Sequence, residues 1–351
     1  MKTIDLRSDT VTLPTREMRD AMYAAEVGDD VHHGDPTIKR LESIAAEKLG
    51  KEDALFVASG TMANLVAVLT HCEADDRIIV GSEAHIHYYE GEGISRLAGV
   101  DMRELPNDED GRIDVAELDK VLWESQGPPI TRVCLENTHM RCGGIPLSAE
   151  YTARVAEVAH ERGVPLHLDG ARIFNAAVAL GVPAAELARE ADSVMFCLSK
   201  GLSAPVGSVL CGSGEFIVRA RQSRRWVGGG MRQVGILGAA GIVALENMVD
   251  RLAEDHENAC ALAEGLASIE GISIDPARAP TNIVIFGIDE RWEMRDFLAA
   301  LSARGVLALP VGPDRVRMVT HHGIGREDIE QALAAVQEAA RELSKAGQAA
   351  R

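Results

Sequence analysis

Residues 191–207 read ADSVMFCLSKGLSAPVG, and the fold is decided by what this run does with its lysine. An acidic turn precedes five largely apolar residues, Val194 to Leu198, which predict a short buried strand. Ser199, Lys200 and Gly201 follow, where that strand ends. Burial lowers the pKa of an ammonium, and a neutral amine can attack a carbonyl to form a Schiff base. Taken alone, Lys200 reads more readily as a solvated lysine closing a strand.

Two upstream stretches change that reading. In GVPLHLDGARIFN, residues 163–175, a short apolar strand from Leu166 to Leu168 ends in Asp169, with Gly170 for a sharp exit and Arg172 behind it. A carboxylate at the carboxyl end of a parallel strand points into the crevice where α/β sheets bind ligands. A helix N-cap is the other use of such a residue. One helix-sized connection, residues 174–190, separates Asp169 from the Lys200 strand.

The second stretch, ALFVASGTMANLVAVLT at 54–70, reads as an apolar strand, a small-residue turn Ser59-Gly60-Thr61, and an apolar helix. The N–H groups of Gly60 and Thr61, with the hydroxyls and the helix dipole, suit a phosphate. The lysine and spacing of a Walker loop are absent. A phosphate cradle, an acid for a ring nitrogen and a Schiff-base lysine, each at a strand end, are the groups that pyridoxal 5'-phosphate requires.

Composition narrows the partners. With 351 residues the chain can bury large cores in two domains, and 46% hydrophobic residues with 33 Gly and 13 Pro suit a soluble α/β enzyme. A net charge of −18 argues against nucleic acid, whose binding rests on phosphate neutralisation. Arg219, Arg221, Arg224 and Arg225 form one basic cluster, either a solvated helix face or an anion or subunit contact. No apolar run reaches the roughly 18 residues of a membrane span, and MKTIDLRSDT lacks a signal-peptide core. Six scattered cysteines without a CxxC pair point to a reducing cytosol, with neither disulfide nor zinc site.

Along the chain, residues 1–13 read as an extended arm and Pro14 to Ala24 as a short helix. The loop VGDDVHHGDPT, 27–37, is a surface or an active-site loop. Strands are expected at Arg77–Val80, Val100–Leu105, Arg132–Glu136 and Gly207–Cys211, the last in either direction, and helices at 115–124 and 149–162. This alternation predicts a mostly parallel, doubly covered sheet. GGGMRQ, 228–233, precedes an apolar helix, Gly235 to Asn247. From residue 250 the pattern becomes a smaller α/β domain, giving a cofactor-binding domain at 1–249 and a C-terminal domain at 250–351 whose tail frays from Lys345.

These motifs together resemble the threonine aldolases, fold-type I pyridoxal-phosphate enzymes. The resemblance rests on IDLRSDTVT, VGDDV, GKEDALFVASGTMANL, LENTH, HLDGARIFNA, CLSKGLSAPVGS, GGGMRQVGILGAAGI and RMVTH, in family order from residue 4 to about 320. It implies a homotetramer with active sites at subunit interfaces, and cleavage of β-hydroxy-α-amino acids to glycine and an aldehyde. It also implies Lys200 as the Schiff-base lysine, Asp169 as the pyridinium partner, and Gly60 and Thr61 as phosphate ligands. His85 in SEAHIHYYE matches the histidine stacked on the cofactor near the substrate hydroxyl. Ser8, Arg172 and Arg317 match the groups that hold the substrate carboxylate. Arg232 matches an arginine near the phosphate, donated by the neighbouring subunit.

The chain departs from the family pattern around the β-substituent. His32, followed by His33, stands where many members carry a tyrosine, and GPPITRVC lacks a second substrate-facing histidine. MRCGG also follows LENTH in place of an asparagine-glycine type. His32, His33 and His87 are the candidates to compensate. A β-eliminating lyase on the same scaffold is the alternative chemistry. The proton acceptor for the β-hydroxyl is either His85 or a water.

Overall fold

The computed structural model describes residues 2–32, 34–124 and 127–349. A seven-stranded sheet forms its centre. Its spatial order is Asp53–Val57, Ser208–Gly212, Ser193–Cys197, Leu166–Asp169, Ile130–Glu136, Arg77–Gly81 and Asp101–Leu105. Every neighbouring pair from Ser193–Cys197 to Asp101–Leu105 is parallel. Ser208–Gly212 runs antiparallel to both of its neighbours, which settles the direction that its sequence left open.

The continuous apolar runs follow from burial on both faces. All five residues of Ser193–Cys197 are buried, and so are all four of Leu166–Asp169. Cys134, Cys197 and Cys211 sit buried in these strands as free thiols. Helix Gly235–Asn247 is buried at nine positions, which explains why it is apolar all round rather than amphipathic.

The C-terminal part carries a four-stranded antiparallel sheet, ordered Leu309–Pro310, Arg315–Val319, Ile283–Ile288 and Ile272–Ser273. Its own core includes Phe286, Phe297, Leu301, Val316 and Met318. Ile4 and Leu6 pack into this cluster too, and Ile4–Asp5 pairs in parallel with Val306–Leu307. Chain position would place the arm with the N-terminal part, but its apolar side chains are buried in the C-terminal cluster.

Sequence and structure differ in three further places. SEAHIHYYEGEG folds into helices His85–Tyr88 and Gly91–Ala98, which its two glycines conceal. The 174–190 connection holds two helices, Ile173–Leu180 and Ala184–Ala188, split at Gly181 (φ 67°). The last helix, Arg326–Ala349, continues past Lys345. Among the described residues no helix is long and apolar enough to cross a membrane.

Candidate active site

Six of the seven strands run the same way and end on one side of the sheet, and the candidate residues gather there. Asp53–Val57 leads into Ser59, whose hydroxyl accepts the N–H of Met62 at 3.2 Å and caps helix Gly60–His71. The N–H groups of Gly60 and Thr61 have no partner among the described residues, at the positive end of a 12-residue helix. A Cβ on Gly60 would stand 3.0 Å from both Cys197 Sγ and Met195 Cε, so the turn closes against the strand that carries Lys200. The Thr61 hydroxyl is engaged elsewhere, donating to Glu90 Oε1 at 3.2 Å.

Asp169 is 2% exposed. Its Oδ2 accepts from Asn64 Nδ2 at 2.9 Å, and its Oδ1 from the N–H of Ala171 at 3.0 Å. Burial alone would raise this carboxyl's pKa, but His85, Lys200 and the bonds from Asn64 and Ala171 outweigh burial and hold it below the usual range. Lys200 is half-buried one strand away, on the bend after Ser193–Cys197. Its carbonyl accepts from Thr12 Oγ1 and from the N–H of Ser203, while its amine makes no hydrogen bond among the described residues.

His85 begins its short helix with its N–H bound to Glu136 Oε2 at 2.6 Å, and its Nδ1 lies 2.8 Å from Glu90 Oε1. Burial works against the imidazolium, yet Glu90, Asp169 and Glu136 prevail and raise its pKa. Asn64 joins the two acids, donating to Glu90 Oε2 at 3.2 Å as well as to Asp169. Behind it His167 Nε2 lies 3.1 Å from Asn64 Oδ1 and His167 Nδ1 lies 2.9 Å from Ser193 Oγ. Burial pushes the His167 pKa down to about 4, so this ring is neutral.

The N-terminal arm closes the other side. Asp9 is fully buried and receives both Nε and Nη2 of Arg172, each at 2.7 Å. Asn282 Nδ2 adds a third bond at 3.2 Å. Ser8 caps the turn Asp9–Val11 through the N–H of Thr10. Arg317 reaches back to the Arg7 carbonyl at 3.1 Å, while its Nε is buried without a partner. Burial and the like charge of Arg172 depress the Arg317 pKa. Two neighbouring guanidinium groups with the single carboxylate of Asp9, bound to Arg172, leave positive charge for a further carboxylate.

Charge contacts thus link Asp169 to His85 and Lys200, Lys200 and Arg172 to Asp9, and Arg172 to Arg317, with Ser8 next to Asp9 and the Gly60-Thr61 turn packed against the Lys200 strand. Arg232 does not join them: its exposed guanidinium pairs with Asp29 at 3.3 Å. His87 faces Glu104 at 3.4 Å and His32 is exposed; His33 lies outside the described residues. The basic cluster divides, with Arg224 buried against Asp30 and Arg221 paired with Glu42, each at 2.7–2.8 Å, and Arg219 and Arg225 exposed. Sequence reasoning missed Asp9, Asn64, Glu90, Glu136 and His167. Asn64 carried a legible signal, as the lone amide within an otherwise apolar helix run.

The donor set fits a pyridoxal phosphate: an unpartnered amine, a buried anionic carboxylate and two free amides at a helix N-terminus. A sequence profile of the β-eliminating lyase family matches residues 5–291. A probable low-specificity L-threonine aldolase of Arabidopsis thaliana is 48% identical over 95% of this chain and 96% of its own. The low specificity L-threonine aldolase of Escherichia coli is 44% identical, covering 94% of this chain and 97% of its own. A crystal structure of a putative aromatic amino acid β-eliminating lyase/threonine aldolase from an Exiguobacterium species shares the fold. Its TM-score is 0.80 at 22% identity, covering 96% of this chain and 97% of its own.

Proposed function

Since the chain belongs to the β-eliminating lyase family, alongside the low-specificity L-threonine aldolases, we propose that it is a pyridoxal 5'-phosphate-dependent lyase. It cleaves L-threonine, L-allo-threonine and related β-hydroxy-α-amino acids to glycine and an aldehyde. The observation that carries this reading is the convergence of a partner-free Lys200 amine, the buried anion Asp169 and Arg172 at the carboxyl edge of the central sheet, with Arg317 of the C-terminal sheet beside Arg172. When bound, the cofactor supplies an electron sink for the charge left on Cα.

Lys200 offers its amine for attachment, and Gly60 and Thr61 offer their N–H groups to the phosphate. Asp169, held as a carboxylate, keeps a proton on a nitrogen that faces it. The His85 ring covers one face of the crevice, where an offset imidazole stacks on a planar ligand. Arg317, Arg172 and Ser8 hold the substrate carboxylate. Because Asp9 occupies one edge of the Arg172 fork, Arg317 is the main contact. That clamp fixes which Cα bond is broken. His85, or a water it holds, takes the β-hydroxyl proton.

The same reading makes the protein a cytoplasmic homotetramer, in which Arg232 reaches the phosphate of a neighbouring subunit; its exposure in one chain supports this. It also divides the chain at residues 249 and 250, which the separate C-terminal core supports.

Product analysis on purified, cofactor-loaded protein tests the proposal. Offered L-threonine, L-allo-threonine and L-phenylserine separately, the protein should release glycine and aldehyde in equal amounts. Ammonia and a keto acid without glycine would mean β-elimination, the activity after which the family is described.

A further inference from the structure

Glu90 stands at the N-cap position of helix Gly91–Ala98 but makes no capping bond. Its side chain turns inward, 3% exposed. There it meets donors from two other helices, Thr61 and Asn64 on one and His85 on the other. A carboxylate that leaves water needs such compensation, and here it comes from Thr61, Asn64 and His85.

The hydrogen bonds have only one consistent direction. Asn64 faces two carboxylates with one end of its amide, so that end is the NH2 group and its oxygen faces His167. A flipped amide would point its oxygen at both acids. A carboxylate has only acceptors, so the neutral His85 ring donates from Nδ1 to Glu90. Its lone pair then lies on Nε2. That nitrogen has no partner among the described residues, and the side chain is 31% exposed.

We propose that Glu90 is a positioning residue for the lyase reaction: it locks His85 as the Nδ1–H tautomer and leaves Nε2 as the outward-facing acceptor for the substrate β-hydroxyl. Asn64 completes the device by tying Glu90 to Asp169, so the groups on both sides of the crevice share one bridge. The inference rests on the lyase reading of this site. It adds a residue to which neither the motifs nor the resemblance assigned a role. Asp169 and Glu136 also face the ring from neighbouring strand ends, but neither bonds to a ring nitrogen.

Two measurements test the proposal. In the holoenzyme, Glu90→Gln should lower kcat about 100-fold with KM within about 3-fold, the scale of a lost general base. The acid limb of its kcat profile should move to lower pH, because the ring loses an anionic partner. Unchanged kcat and acid limb would overturn the proposal. Imidazole 15N NMR of the wild-type protein at alkaline pH, with His85→Gln to assign the signal, needs no Glu90 variant. It should show Nδ1 protonated and Nε2 bare; the reverse tautomer would overturn the proposal even if Glu90→Gln failed to fold. A wild-type holoenzyme that releases neither glycine nor aldehyde would sink the aldol-cleavage reading instead, and the NMR result would still stand by itself.

Discussion

Asp9 and Arg172, 163 residues apart in the chain, form a buried two-bond ion pair with both N–O distances at 2.7 Å. The pair links the N-terminal arm to the helix that leaves the Asp169 strand, and Asn282 ties it to the C-terminal sheet. The arm is therefore part of the site, and the energetics of its one buried carboxylate should be visible in the stability of the whole chain.

Burial would raise the Asp9 pKa, but Arg172, Lys200 and Asn282 bring it from an ordinary 3.8 down to about 2. A lowered folded-state pKa stabilises above the unfolded value, and that contribution is lost as pH falls from 3.8 through about 2. The shift corresponds to about 2 kcal/mol. Urea unfolding of Asp9→Asn across this range should show lower stability at neutral pH and a flatter acid limb than wild type. Parallel acid limbs would assign the dependence to other groups.

Arg317 has a buried Nε without a partner, so it can accept a carboxylate without first breaking an ion pair. Replacing it with Gln should raise KM for L-threonine roughly 30-fold, the equivalent of about 2 kcal/mol for a charged hydrogen bond. Arg317→Lys should recover only part of this loss, because a point charge lacks the planar fork. Steady-state kinetics with cofactor in excess decides the matter; an unchanged KM would remove Arg317 from the clamp.

Arg224 donates Nη2 to Asp30 at 2.7 Å and Nη1 to the Phe56 carbonyl at 2.7 Å, and both charged side chains are 3% exposed. Asp30→Ala leaves a buried guanidinium without its counter-ion and should cost about 3–5 kcal/mol. Arg219→Ala, at an exposed position, should change stability by less than about 0.5 kcal/mol. Chemical denaturation of the two variants separates the buried arginine from the solvated one.

Much of this was legible because local chemistry and burial agree. Apolar runs that end in Asp169 and Lys200 are strands buried on both faces, and Ser59-Gly60 opens a helix as its turn chemistry predicts. What sequence hid depends on contacts distant in the chain. Asp9 is an ordinary turn acid until Arg172 meets it, and Glu90 an ordinary helix-start acid until it turns inward. The arginine cluster looked uniform in sequence, yet helical geometry turns Arg221 and Arg224 inward and leaves Arg219 and Arg225 in solvent. Arg232 has no partner in the crevice of its own chain.

Borohydride reduction of the cofactor-loaded protein, followed by digestion and mass mapping, tests the central claim most directly. The reduced cofactor should be found on Lys200 in the wild type and be lost in Lys200→Ala. Attachment to any other lysine, or the same adduct in Lys200→Ala, would contradict the assignment of this crevice.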